Sequence, residues 1–222
     1  MNAAEVSERV AVVRQRIIDA GGLHVELVAV TKTFDETSWL AAREAGADGV
    51  GENYAQELVA KAQHVPLEMR PPVHFIGQLQ SNKVKSLVEI VDVWQSVDRT
   101  SLIDEISRRS PSKPPRIYVQ VNTTMESGKG GCDPEATATV VAHAARSGAI
   151  VEGLMTVGPT DGDAARTRAA FRLLRSIAHD LGVGGLSMGM TNDLEIAVEE
   201  GSTLVRVGSA IFGNRSALQE PL

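Results

Sequence analysis

A lysine at the end of an apolar run is the first residue of this sequence that could do chemistry. Lys32 follows the segment LVAVT at 27–31, which has the β-branched composition of a buried strand. A lysine partly withdrawn from water at such a strand end is a good amine nucleophile. A lysine that simply reaches into water from the end of a strand is the alternative, and position alone does not separate the two.

Two segments near the C-terminus could hold an anion. Ser187 and Gly189 lie in LSMGMTND at 186–193, and Gly208 and Ser209 lie in VRVGSAIFG at 205–213. Small and hydroxyl residues before a helix expose backbone amides, which bind phosphate groups well. Turn chemistry would explain each glycine separately, but it does not explain why the two segments occur together.

Two further side chains are candidates for ligand contact. Arg206 falls inside a predicted strand, with Val205 and Val207 on the opposite face. A buried cation is costly unless it is paired or holds a ligand, so a ligand contact and a structural salt bridge are both open. Asn53, after the strand-like GVG at 49–51, could bond a ligand oxygen or cap the following helix.

Other reactive residues have weaker cases. His74 precedes its strand's end, which favours a packing role. The GKGG segment at 128–131 lacks the glycine spacing and hydroxyl of a P-loop, so we interpret it as a mobile loop whose Lys129 could touch a ligand. Cys132 has no base nearby in sequence and is not expected to be a nucleophile. No catalytic residue and no metal site are predicted.

Strands and helices alternate along the chain that must position these residues. The first helix should begin with a capping box of Asn2 and Glu5. Strands are predicted at 27–31, 49–51, 73–76, 91–96, 117–121, 151–155, 185–188 and 204–207. The intervening helices are predicted at 36–45, 54–62, 81–88, 99–108, 134–146, 164–180 and 192–199. Eight such units predict an α/β fold, a (β/α)₈ TIM barrel, in which the loops after strands seven and eight commonly bind phosphate.

Composition limits the protein classes that fit this chain. Its 222 residues carry a formal net charge of −6, and aromatic residues make up 4%, which argues against nucleic-acid binding. One cysteine excludes a disulfide framework. The first 20 residues have no apolar signal-peptide core, and no apolar run could span a bilayer. We expect a cytoplasmic protein forming one domain over residues 1–222.

Five motifs, in order along the chain, are similar to those of the pyridoxal phosphate homeostasis proteins, which are relatives of the alanine racemase barrel. They are AVTKT at 29–33, GENY at 51–54, HFIG with LQSNK at 74–83, LSMGM at 186–190 and VRVGSAIFG at 205–213. The resemblance implies a fold type III barrel without a C-terminal β-domain. It also implies pyridoxal 5′-phosphate (PLP) as cofactor, held as a Schiff base on Lys32.

The same resemblance assigns the other site residues. It places Ser187, Gly208 and Ser209 around the phosphate, Arg206 against the pyridine nitrogen and Asn53 near the ring. Ser209 stands where the family often has Thr, and Thr191 where Ser is common, so both hydroxyls are kept.

The resemblance also implies a role in cellular PLP (vitamin B6) homeostasis, by buffering or delivering the cofactor without turnover. Apo PLP-dependent enzymes are possible recipients, and a monomer is expected. Neither Tyr54 nor Tyr118 has an obvious route to the role of a second catalytic base. A weak amino-acid racemase or related PLP enzyme is one alternative, and a phosphate-binding barrel enzyme without PLP is another.

Overall fold

The computed structural model describes residues 2–213, which form one closed barrel of eight parallel strands surrounded by helices. The strands follow one another around the ring in chain order. They are β1 (Glu26–Val30), β2 (Gly49–Glu52), β3 (Val73–Phe75), β4 (Val93–Val97), β5 (Arg116–Gln120), β6 (Ile150–Met155), β7 (Gly185–Ser187) and β8 (Leu204–Val207). The predicted TIM barrel is confirmed. The predicted domain range 1–222 also includes Met1 and residues 214–222, which lie outside the described residues.

Nine α-helices lie among the described residues. They are α1 (Ala3–Asp19), α2 (Thr37–Glu44), α3 (Ala55–His64), α4 (Val84–Leu87), α5 (Thr100–Arg109), α6 (Thr137–Arg146), α7 (Ala164–Leu181), α8 (Leu194–Glu199) and α9 (Ser209–Phe212). Short 3₁₀ turns at Leu67–Met69, Ser81–Lys83 and Pro134–Ala136 complete the structure, and the last two begin the predicted helices at 81–88 and 134–146. None of the helices between residues 2 and 213 is long and apolar enough to cross a bilayer.

The ring closes between its first and last strands. Glu26 lies opposite Leu204 and Ala29 opposite Val207 in parallel register. Because parallel strands all point the same way, their carboxyl ends and the loops that follow them meet at one face of the barrel.

Side-chain alternation divides the strands between two cores. Leu27 and Ala29 of β1 pack outward in the main apolar cluster, under the helices. Val28 points inward and packs with a smaller interior cluster formed by Val93, Tyr118, Met155 and Leu204. His74, Gln95, Ser187 and Arg206 are polar interior residues, and Arg206 belongs to the candidate site.

Helix α1 precedes β1 in the chain and packs on the outside of the barrel near the place where β1 and β8 meet. Its buried face consists of Val6, Val10, Val13 and Ile17. The Asn2 side chain accepts a hydrogen bond from the Ala4 amide at 3.2 Å, while the Glu5 carboxylate pairs with Arg9. The helix is therefore capped by Asn2 as predicted, but the reciprocal bond of a capping box is replaced by an ion pair within the helix.

Candidate functional site

A cavity of about 570 Å³ opens at the carboxyl ends of the strands. Four of the predicted site residues line it together: Lys32 after β1, Arg206 in β8, and Gly208 and Ser209 after β8. They approach each other because β1 and β8 are neighbours in the closed ring. The cavity thus combines an amine, a guanidinium and a small-residue turn within one space.

The turn that carries Lys32 is fixed on both sides by polar contacts. The Thr31 hydroxyl donates to Glu52 at 2.7 Å, and the Lys61 ammonium donates to the Thr31 carbonyl at 2.7 Å. The Thr33 amide donates to Glu57 at 2.8 Å, and Thr33 has a φ of 70°, which β-branched residues seldom adopt. Strand β2 and helix α3 therefore determine where Lys32 leaves the barrel.

A buried ion pair lies behind this turn. Glu52 is completely buried, and its Oε1 accepts from the Lys61 ammonium at 2.6 Å and from the Trp39 indole at 2.8 Å. Buried charges require this degree of pairing. The sequence predicts no role for Glu52 or Lys61. The only pattern that points to Lys61 is its place four residues after Glu57 on an amphipathic helix.

Arg206 is buried, as its place in β8 predicts, and reaches the cavity from below. Its Nη2 donates to the Thr156 carbonyl at 2.7 Å, and its Nη1 donates to the Ser187 hydroxyl. Burial lowers the pKa of Arg206 to about 10, and the negative charge of Asp193 acts in the opposite direction. Arg206 forms no ion pair with any carboxylate in the described part of the chain, so the structural salt bridge is not formed there.

Ser187 lies in the barrel interior and does not line the cavity. Its hydroxyl accepts from Arg206 and donates to Gln95 Oε1 at 2.6 Å, which leaves Gln95 Nε2 to donate to His74 Nδ1 at 2.7 Å. Burial lowers the pKa of His74 to about 4, so its ring is neutral and accepts this bond. The packing role expected for His74 is confirmed.

The turn after β8 meets a hydroxyl from the preceding loop. The Ser209 hydroxyl lies 3.0 Å from Thr191 Oγ1, and the Ala210 amide lies 3.4 Å from the same oxygen. A side chain at Gly208 would crowd Val30 at 3.3 Å, so glycine lets this turn approach β1. Thr191 also lines the cavity, and its signal in the sequence is a hydroxyl two residues after Gly189.

Asp193 is a second cavity residue that the sequence did not single out. Its carboxylate accepts from the Met190 amide at 2.6 Å, and burial raises its pKa. Its position directly before α8 resembles that of an ordinary capping residue, so the sequence contains no signal that it faces a ligand.

The loop after β5 forms one wall of the cavity through Lys129. Against the expectation of a mobile loop, Glu126 pairs with Lys129 at 3.0 Å and with Arg166 at 3.2 Å, and accepts from Thr160 at 2.6 Å. The hydrogen bonds from Thr160 and Lys129 lower the pKa of Glu126 to about 2. Burial raises the pKa of the Cys132 thiol, so at neutral pH it is protonated and a poor nucleophile, as expected.

Asn53 lines a different cavity, beside strands β2 to β4. Its Oδ1 is buried and has no hydrogen-bond partner among the described residues. Helix α3 begins after Tyr54 with no side-chain cap, so the capping role considered for Asn53 is wrong.

Within residues 2–213, no group of three or more His, Cys, Asp or Glu side chains could hold a metal ion.

Comparisons with known proteins agree with this geometry. The profile of the alanine racemase N-terminal domain matches residues 1–216. A pyridoxal phosphate homeostasis protein of Haemophilus influenzae is 36% identical over 203 residues, covering 86% of each chain. The structure of PipY from Synechococcus elongatus with PLP bound has a TM-score of 0.81 and 31% identity, covering 94% of this chain and 100% of that one.

A more distant likeness concerns the fold alone. An alanine racemase from Clostridium difficile is 11% identical with a TM-score of 0.75, and the match covers 95% of this chain and 57% of that enzyme. The chain therefore belongs to the alanine racemase N-terminal domain family, among relatives named pyridoxal phosphate homeostasis proteins.

Proposed function

We propose that this protein binds PLP as a Schiff base on Lys32 and serves in PLP homeostasis. The observation that carries the proposal is one cavity that contains Lys32, Arg206, Gly208 and Ser209 together. A lysine amine forms the covalent link to the aldehyde carbon, and the other three residues supply the non-covalent contacts that a phosphorylated pyridine needs.

The polar groups around this cavity fit the chemistry of the cofactor. The hydroxyls of Thr191 and Ser209 and the turn at Gly208 can donate hydrogen bonds to the phosphate. Arg206 is proposed to face the pyridine nitrogen, where a guanidinium keeps that nitrogen unprotonated. When bound, PLP would supply an electron sink, which an unprotonated nitrogen weakens.

Asn53 and Ser187 remain predictions as cofactor ligands. Asn53 is proposed to lie near the ring from the adjacent cavity. Ser187 also holds Arg206 from beneath, so besides its proposed place near the phosphate it would position the guanidinium at the pyridine nitrogen.

The proposed role is holding and delivering PLP without turnover. Among the described residues that line the cavity there is no Tyr, His or Cys to act as a second base. Burial raises the pKa of Tyr118 to about 12 inside the barrel, while Tyr54 is exposed and lines the other cavity. Lys129 is engaged by Glu126 and by the Gly158 carbonyl. A monomeric, cytoplasmic protein that passes PLP to apo-enzymes completes this proposal.

Borohydride reduction tests the attachment of the cofactor. The purified protein should be yellow, lose its colour on reduction, and yield a phosphopyridoxyl mass on the peptide containing Lys32. The Lys32→Ala variant should lack the colour, whereas Lys129→Ala should keep it. A mass found mainly on Lys129 or Lys83 would show that the attachment site is wrong.

Incubation with L-amino acids tests the absence of turnover. We expect very slow exchange of the α-proton and no accumulation of D-product by the PLP-loaded protein. Efficient racemisation over many turnovers would replace the carrier function with that of a weak racemase.

A further inference from the structure

The second cavity, which Asn53 lines, has a volume of about 570 Å³ and opens at the carboxyl ends of β2, β3 and β4. The cavity of Lys32 lies by β1 and β6 to β8. A volume of this size is enough for a small molecule. Of the residues proposed to contact PLP, only Asn53 belongs to the second cavity.

One sequence motif contributes to the second cavity but not to the proposed cofactor site. The segment HFIG with LQSNK at 74–83 supplies none of the proposed PLP contacts. Leu79, Gln80 and Lys83 of this segment all line the second cavity. The proposed function therefore gives this segment no use, and the cavity that it lines is the place to look for one.

The charged side chains of this lining are cationic. Lys83 and Arg99 both line the cavity, and no carboxylate lines it among residues 2–213. In a chain with a net charge of −6, two cations in one cavity form a local positive field. An anionic group is therefore the part of a ligand that this cavity attracts.

The two cations differ in how they are held. The Arg99 Nη1 donates to Asp98 at 2.7 Å and its Nη2 donates to the Leu79 carbonyl at 2.9 Å, which fixes the guanidinium but leaves it further N–H donors. Asp98 offsets part of this charge from outside the lining. The Lys83 side chain is half-buried, and its ammonium forms no hydrogen bond or ion pair within the part of the chain that the structure describes. Lys83 is consequently available to an anion, with Arg99 as a positioned second cation.

Further hydrogen-bond donors surround the two cations. Ala55 and Gln56 of the first turn of α3 line the cavity, and no side chain caps this helix. The first amides of a helix have no partner within it, so they can donate to a ligand. Gln78 and Gln80 also line the cavity, and each carboxamide contains an NH₂ group that can donate. The lining is therefore rich in donors as well as positively charged.

We propose that the second cavity binds a small molecule through a phosphate monoester group held by Lys83 and Arg99. Such a group carries about two negative charges at neutral pH and has three acceptor oxygens. Its charge matches that of the two cations, and its oxygens can accept from both cations and from the surrounding donors at once. A carboxylate has one charge and fewer oxygens, so it leaves part of this lining unused. The inference rests on the second cavity alone and holds whether or not PLP occupies the first one.

Titration of the full chain with methyl phosphate, followed by ¹⁵N NMR with and without PLP, tests this site. Well above the second pKa of phosphate, about 6, the ligand is a dianion. Methyl phosphate should shift the amide signals of Gln56, Gln80 and Lys83 in both samples, and in the PLP-loaded protein it should leave Thr191 and Ser209 unchanged. Dimethyl phosphate and acetate, which carry one charge each, should bind at least about tenfold more weakly. Acetate that binds as tightly as methyl phosphate, or the absence of shifts at Gln56, Gln80 and Lys83, would overturn the proposal.

Two pairs of variants locate the charge that holds the ligand. Lys83→Met should weaken methyl phosphate binding by about tenfold or more, as expected when a charged hydrogen bond is lost. Lys85→Met, at an exposed lysine of α4, changes the net charge equally and should bind as the wild type does. Gln80→Glu places a carboxylate in the lining and should also weaken binding by about tenfold or more, whereas Gln63→Glu, at an exposed position of α3, should not. Equal effects within either pair would mean that only the net charge of the protein matters, which would contradict the site.

Colour and borohydride labelling in the same samples separate this inference from the proposed function. A yellow protein that fails to bind methyl phosphate in this cavity refutes only the second site. A protein that binds methyl phosphate there but takes up no PLP refutes only the cofactor proposal.

Discussion

At the scale of single residues, a polar row crosses the barrel interior from His74 through Gln95 and Ser187 to Arg206. Arginine can only donate hydrogen bonds, so its position fixes the direction of every bond in the row. Because the guanidinium donates at one end of the row, Gln95 donates at the other end, and His74 must be neutral to accept this bond. The buried cation is tolerated there because the Ser187 hydroxyl and the Thr156 carbonyl both accept hydrogen bonds from it.

Ser187→Ala should destabilise the protein by about 1–3 kcal/mol, because both Arg206 and Gln95 lose a buried partner. PLP binding should also weaken, since the guanidinium is no longer held from below. Urea unfolding and a PLP titration measure the two effects. Ser86→Ala removes an exposed hydroxyl and is the matched control. If Ser187→Ala is as stable as the wild type, the polar row contributes little to the free energy of unfolding.

The buried His74 predicts a pH dependence. Its pKa falls to about 4 in the folded protein from 6.5, so between these pH values the unfolded chain binds more protons. The stability that depends on a neutral His74 is complete above the pKa of this residue in the unfolded chain. It is lost as the pH falls toward 4, and the free energy of unfolding then decreases by about 3 kcal/mol in all.

Unfolding measured at several pH values checks this prediction. His74→Gln should flatten the rise of stability between pH 4 and 6.5, whereas His24→Gln, at an exposed position, should not. An identical slope in wild type and His74→Gln would mean that the histidine titrates normally.

Single residues also show what sequence can predict about the site. Lys32 and Arg206 were identified because a charged residue in or after a buried strand needs a reason to be there. Thr191 was named only as a hydroxyl that the family pattern keeps, and Asp193 was given no role, because residues at a helix start look the same whether they face a ligand or only cap the helix. Asn53 was named from the sequence, but the second cavity that it lines is formed at the ends of three strands, and no local pattern predicts that cavity.

At the scale of elements, helix α3 supports the site through Lys61. This side chain joins the buried Glu52 to the Thr31 carbonyl, one residue before Lys32. Lys61→Met should cost about 3–5 kcal/mol, because it leaves the Glu52 carboxylate buried without its cation. Schiff-base formation on Lys32 should also slow as its turn loosens. Chemical denaturation and the rate of colour development measure these effects.

The double variant Glu52→Gln/Lys61→Met is the control for this prediction. Replacing both charges removes the unpaired carboxylate, so the double variant should be more stable than Lys61→Met alone. If the double variant were less stable by the full sum of the two single effects, the two side chains would be acting independently.

All eight strands were predicted, since each is a short apolar run followed by a turn and a helical segment. Their ends differ by at most two residues, as with the strand predicted at 91–96 and found at Val93–Val97. This strand starts later than predicted because the Val91 amide still donates to the Leu87 carbonyl at the end of α4. Helix α9 was not predicted as an element, since four residues give no periodicity.

At the scale of the whole molecule, we propose that residues 1–222 unfold as one domain, with a single calorimetric transition. PLP at about 100 times its Kd should stabilise the protein by about 2.7 kcal/mol, which raises Tm by roughly 5–10 °C. Lys32→Ala should lose most of this gain, while pyridoxal without phosphate should give little of it. Two separate transitions, or a Tm insensitive to PLP, would contradict the proposal.

The pairing of β1 with β8 bears on how the chain is made. β1 leaves the ribosome long before its partner strand, which lies at Leu204–Val207. Helix α1 also forms its tertiary contacts late, because Arg16 pairs with Glu195 of α8 and Arg9 donates to the Ile211 carbonyl. Contacts so distant in sequence form slowly, because a long loop must close first. We therefore expect the sheet to stay open in the nascent chain, and the pocket around Lys32 to form only after Leu204–Val207 has left the ribosome.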